Sequence, residues 1–189
     1  MTSRITQPEP LPLRARYSGV ALLGLVIALL AANVVWIARN CNALRSVGPG
    51  SQAPGFDLPT IAGDRIRLGD LKGRVVLIDF WSVTCSPCWK GLSHLKSVQR
   101  RFAGEPVTVL SIHVQATRRA AERAREAAAQ LGLRFPVLLD TANISDKYTV
   151  RVLPTIVLID QKGRVHKVWR GVTPTETLVG EIESLLKRK

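Results

Sequence analysis

Residues 75–88 read Val75-Val76-Leu77-Ile78-Asp79-Phe80-Trp81-Ser82-Val83-Thr84-Cys85-Ser86-Pro87-Cys88. Apart from Asp79, the first seven form a continuous apolar run, as expected of a strand buried in a parallel sheet. The last four are a C-x-x-C where a helix is predicted to begin. Two residues between cysteines at a helix start let the sulfurs meet with little backbone movement. The Cys85 sulfur then lies among unpaired N–H groups at the positive end of the helix dipole, which stabilises a thiolate. The thiolate is the attacking species, so the placement points to thiol–disulfide exchange near neutral pH. Pro87 suits a first helical turn, whose N–H groups have no helical partner.

Two other readings of the pair fit less well. Structural zinc would need a second pair of ligands; there is no second C-x-x-C, and His94, His113 and His166 are scattered without ligand spacing. A purely structural disulfide closing so short a loop would stabilise little. No metal and no external cofactor is therefore expected; the redox group is the Cys85–Cys88 pair itself.

Working outward, Phe56–Leu58 and Arg65–Leu68 flank Ala62-Gly63-Asp64 and read as a hairpin. A helix is predicted from about Ser86 to Phe102, then a buried strand over Val107–Val114. Thr117–Leu131 is Ala-rich with Arg and Glu at helical intervals, a surface helix supported by ion pairs and stopped by Gly132. Phe135–Leu139 is a short strand and Asn143–Tyr148 a helical turn. Thr155–Ile159 and Val165–Trp169 form a second hairpin. Thr175–Lys187 closes the chain as an amphipathic helix with Leu178, Ile182, Leu185 and Leu186 inward. Alternating strands and helices ending in a hairpin give an α/β sandwich.

The 189 residues leave room for one ordinary domain and something extra. Residues 17–38 contain no charge and are rich in Leu, Ala, Val and Ile. As a helix they would span roughly 33 Å, enough for a bilayer core, with Tyr17 and Trp36 near the ends where interfacial aromatics sit. The stretch is long for a signal-peptide core and no A-x-A site follows it. The expected division is a cytoplasmic tail 1–16, a transmembrane anchor 17–38, a linker 39–52 rich in breakers, and a domain 53–189. Arg4, Arg14 and Arg16 before the span outweigh Arg39 and Arg45 after it, placing the domain outside the cytoplasmic membrane, facing the periplasm. Cys41 follows Arg39-Asn40, not the small residues a lipoprotein acceptor wants, and reads as a juxtamembrane thiol able to link two chains. The net charge of +13 is spread along the domain with no groove-reading element, so it reads as a solvated basic surface and nucleic acid is not an expected partner.

Asp79 interrupts an apolar strand six residues before Cys85. Buried without a partner, its carboxyl would keep its proton to unusually high pH and could take the proton of Cys88 when that sulfur attacks a mixed disulfide. Pro154, in Val152-Leu153-Pro154-Thr155, precedes an apolar strand at a position where proline is allowed and where cis bonds occur.

With Asp79-Phe80-Trp81, Cys85-Ser86-Pro87-Cys88, Val150–Thr155, Gly163 and Gly171, the chain resembles the thioredoxin superfamily. Ala53–Leu58, Leu71–Val76, Phe135–Asp140 and the N-terminal span are similar to its membrane-anchored TlpA/ResA-like branch. The resemblance covers roughly residues 51–187. It implies a thioredoxin-like three-layer sandwich with an N-terminal β-hairpin and an extra central helix–strand insertion. It also implies a nucleophilic Cys85, a resolving Cys88, and a cis Pro154 against the disulfide. The backbone of Leu153 would pair with an extended substrate, and Trp89 is a candidate lip touching partners. The activity implied is reduction of disulfides in periplasmic proteins, often in cytochrome c maturation, with electrons from a membrane-embedded thiol donor. The family's usual Trp before the first cysteine is Thr84 here, its Gly-Pro dipeptide is Ser86-Pro87, and its later Glu and Pro are Gly91 and Ser93. Loss of that Glu puts more weight on Asp79.

A thiol oxidase or isomerase on the same fold is the alternative, since one cysteine pair spans a wide range of potentials. A copper-handling protein using the two soft sulfurs is another, but Met1 is the only methionine to supply a further ligand. Trp81 and Tyr148 are expected in the core and His94 on a solvated face.

Overall fold

The computed structural model describes residues 13–44 and 47–187, with side chains at 19, 21–37 and 47–187. The chain divides into two compact units, 1–45 and 46–189. The described part of the first is a helix, α1 (Leu13–Leu44), whose described side chains from 21 to 37 are all exposed. Among the described residues, no helix is long and apolar enough to cross a membrane. Most of the expected tail, residues 1–12, and the side chain of Cys41 lie outside the described residues.

The second unit is built on a five-stranded sheet of order β5-β4-β3-β6-β7. β3 (Val75–Trp81) is central and buried at all seven positions, as its apolar run demands. It pairs in parallel with β4 (Val107–His113) and antiparallel with β6 (Thr155–Ile159). β5 (Val137–Leu139) extends the sheet in parallel beside β4, and β7 (Val165–Arg170) closes the other edge in a hairpin with β6. β5 begins after Pro136, whose missing N–H ends the ladder there, although its carbonyl still accepts from the Ser111 N–H.

Alternation along β3 sorts the core into two layers. Val75, Leu77 and Trp81 face α2 (Ser86–Arg101), α3 (Arg118–Leu131) and α5 (Thr175–Leu186). Val76, Ile78 and Phe80 face the other side. There they meet the hairpin β1–β2 (Asp57–Pro59 and Arg65–Arg67), Leu68 of the 3₁₀ turn Leu68–Leu71, and Ile144 of the short α4 (Ile144–Lys147). This is the three-layer sandwich, with α3–β5 as the inserted helix–strand unit. Both layers draw only on residues from Val47 onward, so the unit carries its own core. Each leucine removed fully from water, such as Leu77 or Leu92, contributes roughly 1.5–3 kcal/mol.

α3 shows how the sequence sets an element. Ala120, Ala121, Ala124, Ala127 and Ala128 make a small-residue stripe that packs on the sheet. The Thr117 hydroxyl accepts the Ala120 N–H at its start. Gly132, at φ 59°, closes it in the left-handed conformation. Arg118 and Glu122 pair on its outer face.

Docking of the chain begins ahead of Ala53. Val47 is buried, Gly50 donates to the Val165 carbonyl, and the Ser51 carbonyl accepts from Val165. Tyr148 is a core residue, 5.3 Å from Phe80 between ring centroids, with its hydroxyl donating to the Pro54 carbonyl.

Candidate active site

The turn between β3 and α2 carries the cysteines. Cys85 is the N-cap of α2, and its N–H donates to the Ser82 carbonyl, closing the turn. The Ser82 and Thr84 hydroxyls bond each other at 2.9 Å inside it. Pro87 occupies the first helical turn. Cys85 and Cys88 are joined as a disulfide with 5.4 Å between their Cα atoms. The two sulfurs differ in exposure: Cys85 is half-buried, whereas Cys88 is 0% exposed in the core. Only the outer residue can meet a large substrate, and only the inner one sits in a low-dielectric setting.

Asp79 is 0% exposed, and neither carboxyl oxygen has a hydrogen-bond partner among the described residues. Burial alone pushes its pKa up to about 8. It alternates with Leu77 and Trp81 on the β3 face that packs against Cys88 and α2. Opposite it in register stands Ser111 of β4, whose hydroxyl is likewise buried and unpartnered among the described residues. The carboxyl therefore lies on the disulfide's side of the sheet, neutral over much of the pH range in which other aspartates are ionised.

The Leu153–Pro154 bond is cis, and Pro154 is buried beside α2. A Cβ built on Gly91 would lie 3.7 Å from Pro154 Cγ, so the proline ring packs on the helix one turn beyond Cys88. Leu153 is half-buried. Among the described residues, neither its N–H nor its C=O takes part in a backbone hydrogen bond. Those groups are free to pair with an incoming extended segment. Val152 beside it is exposed, and Trp89 is half-buried against the core rather than fully solvated. The structure thus brings Cys85, Cys88, Pro154 and the Asp79 face together around the N-terminal half of α2.

Two histidines sit differently from their sequence reading. His94, expected on a solvated face, is half-buried and bonds the Thr173 carbonyl through Nδ1 at 2.8 Å, tying α2 to the approach of α5. A contact across 79 residues leaves no local signal. His113, read only as a histidine without ligand spacing, is fully buried behind the cysteine turn. A polar residue ending an apolar strand was the signal available for it. Among the described residues, no group of three or more His, Cys, Asp or Glu is arranged to hold a metal ion.

A parallel-centred sheet with a C-x-x-C at a helix N-cap, a half-exposed outer sulfur and a cis proline beside the helix defines a thioredoxin-type thiol–disulfide oxidoreductase. The family profile described as AhpC/TSA matches residues 49–168, and the chain belongs to that thioredoxin-like family. It is 36% identical to the thiol-disulfide oxidoreductase ResA of Bacillus subtilis over 75% of this chain and 78% of that protein. The thioredoxin-like protein YneN of the same organism is 29% identical, over 79% and 89% of the two chains. Among solved structures, a candidate thiol:disulfide interchange protein DsbE from Chlorobium tepidum superposes with a TM-score of 0.68 at 30% identity. The match covers 75% of this chain and 99% of that one.

Proposed function

We propose that this chain reduces disulfides of exported proteins while anchored in the cytoplasmic membrane by residues 17–38. The observation that carries the reading is the asymmetry of the pair: a reachable Cys85 at a helix N-terminus backed by a buried Cys88 on the same side of the sheet as an uncharged Asp79. In the reduced enzyme, the Cys85 thiolate attacks one sulfur of a substrate disulfide and the other leaves as a thiolate. The fraction of Asp79 that is ionised as pH approaches its pKa of about 8 takes the Cys88 proton. Cys88 then attacks Cys85 Sγ, closing the enzyme disulfide and releasing the second substrate thiolate. Two electrons pass from the enzyme dithiol to the substrate. The open backbone of Leu153, with Pro154 and Trp89 around it, holds the substrate segment.

The anchor is supported by the uncharged 22-residue stretch and by the exposure of Leu22, Leu25, Leu29 and Trp36 along α1. A membrane-embedded thiol donor would then return electrons to the pair. Cytochrome c maturation fits as a destination, because haem attachment needs C-x-x-C-H cysteines in the reduced state. A Cys88→Ser chain expressed in cells should accumulate mixed disulfides through Cys85 with exported proteins, and a reporter fused after Lys189 should be active outside the cytoplasm. Trapping confined to cytoplasmic proteins, or a reporter active only inside, would overturn the assignment.

A further inference from the structure

His113 is a buried titratable group that the exchange reaction leaves unused. It ends β4, directly opposite Trp81 in register, and its ring meets the indole edge-on with centroids 5.0 Å apart. Both ring nitrogens are engaged by backbone. Nε2 lies 3.1 Å from the Val83 nitrogen, and Nδ1 lies 2.7 Å from the Gln115 carbonyl. A backbone N–H can only donate, so Nε2 must be the bare nitrogen. A carbonyl can only accept, so Nδ1 must carry the proton. Of the two groups near Nδ1, the Gln115 N–H at 3.3 Å is therefore not its partner, and the shorter carbonyl contact is. The neutral Nδ1–H tautomer is the one form that satisfies both bonds.

Val83 is the second residue of the turn that Cys85 closes by donating to the Ser82 carbonyl. Among the described residues, the turn's own Ser82–Thr84 hydroxyl contacts are internal to it and do not tie it to its surroundings. We propose that His113 is a positioning residue for Cys85, clamping the cysteine turn through the Val83 N–H and tying it to the segment after β4. The proposal deepens the thiol-exchange reading and rests on Cys85 being the nucleophile. Loosening the turn would let the Cys85 sulfur drift from the α2 N-terminus and lose part of the thiolate stabilisation that location supplies.

The charged side chain that acts on the ring is Arg123 of α3, and the buried carboxyl of Asp79 lies on the same face of β3 as Trp81. Burial first, and Arg123 in addition, lower the ring's pKa, against a raising effect of the Gln115 carbonyl. The accepting form is thus the one present near neutral pH. Protonation would place a second donor against the Val83 N–H.

The test uses the domain 46–189, which carries its own core. In the wild type, nitrogen NMR should show the Nδ1–H tautomer, with a through-bond coupling between the Val83 N–H and His113 Nε2. The protonated-Nε2 tautomer, or no coupling, would overturn the proposal. In reduced His113→Leu, alkylation of Cys85 at pH 7 should slow about three- to tenfold, the scale of one ordinary hydrogen bond. Its thiolate titration should shift upward. A folded variant whose alkylation profile overlays the wild type would refute the positioning role. If His113→Leu does not fold, the wild type decides. Acidification should then change the Val83 amide shift and the Cys85 alkylation rate together, at the pH where the ring protonates. Independent titrations would refute it. A wild type with unreactive Cys85 would instead count against the exchange reading itself.

Discussion

Asp79 should make the stability of the domain fall as pH rises through neutrality. Its carboxyl is completely buried, has no hydrogen-bond partner among the described residues, and has its pKa pushed up to about 8 by desolvation. In the unfolded chain it ionises near the ordinary 3.8. Between those values the folded state holds a proton that the unfolded state has released. Stability therefore falls with pH, by about 1.4 kcal/mol per unit in the middle of the window. From pH 5 to pH 8 the loss integrates to about 3–4 kcal/mol. Only about a unit below 3.8, near pH 3, are both states protonated and the slope gone. Asp79→Asn keeps the shape and removes the titration. The assay is denaturant unfolding of the oxidised domain at half-unit pH steps, for both proteins. Buried His113, whose pKa is lowered, works in the opposite direction at acid pH but is common to both. The difference curve therefore isolates Asp79: flat below about pH 3, then rising in favour of Asn up to about pH 8. Parallel curves would mean that Asp79 is ionised or solvated in the folded state, and the assigned proton-acceptor role would fall with its burial.

Asp79→Asn should also slow resolution of a preformed Cys85 mixed disulfide at pH 7, and abolish the rise of that rate with pH as the carboxylate forms towards pH 8; stopped-flow release of the substrate thiol reads both. Thr117→Ala removes the hydroxyl that caps α3 and should cost about 1 kcal/mol in denaturant unfolding, with no effect on exchange kinetics. Gly91→Ala places a methyl at ordinary contact distance from Pro154, and with the gain in helix propensity should stabilise the domain by about 0.5–1 kcal/mol. A loss instead would show that α2 and Pro154 are packed more tightly than the 3.7 Å approach implies.

Elements whose reason is local were legible before the structure. β3 and the start of α2 follow from one apolar run and one Pro87-containing C-x-x-C, and α3 from its alanine stripe between Thr117 and Gly132. The burial of Asp79 was legible too, because an isolated carboxylate inside such a run has nowhere polar to point. What escaped was long-range. The breaker-rich stretch before Ala53 gives no sign that residues 50–53 pair with Gly163 and Val165, since that contact is made by the register of a hairpin 110 residues on. His94 and His113 took their roles from backbone carbonyls and an N–H that only the tertiary arrangement supplies. A histidine's neighbours in sequence do not reveal which loop crosses its ring.

The reduction potential of the Cys85–Cys88 pair, measured by equilibration with glutathione or thioredoxin, tests the account most directly. A reductase of exported disulfides should lie near thioredoxin's value of about −270 mV. A value near the roughly −120 mV of a strong thiol oxidant would reverse the proposed electron flow and contradict the assignment.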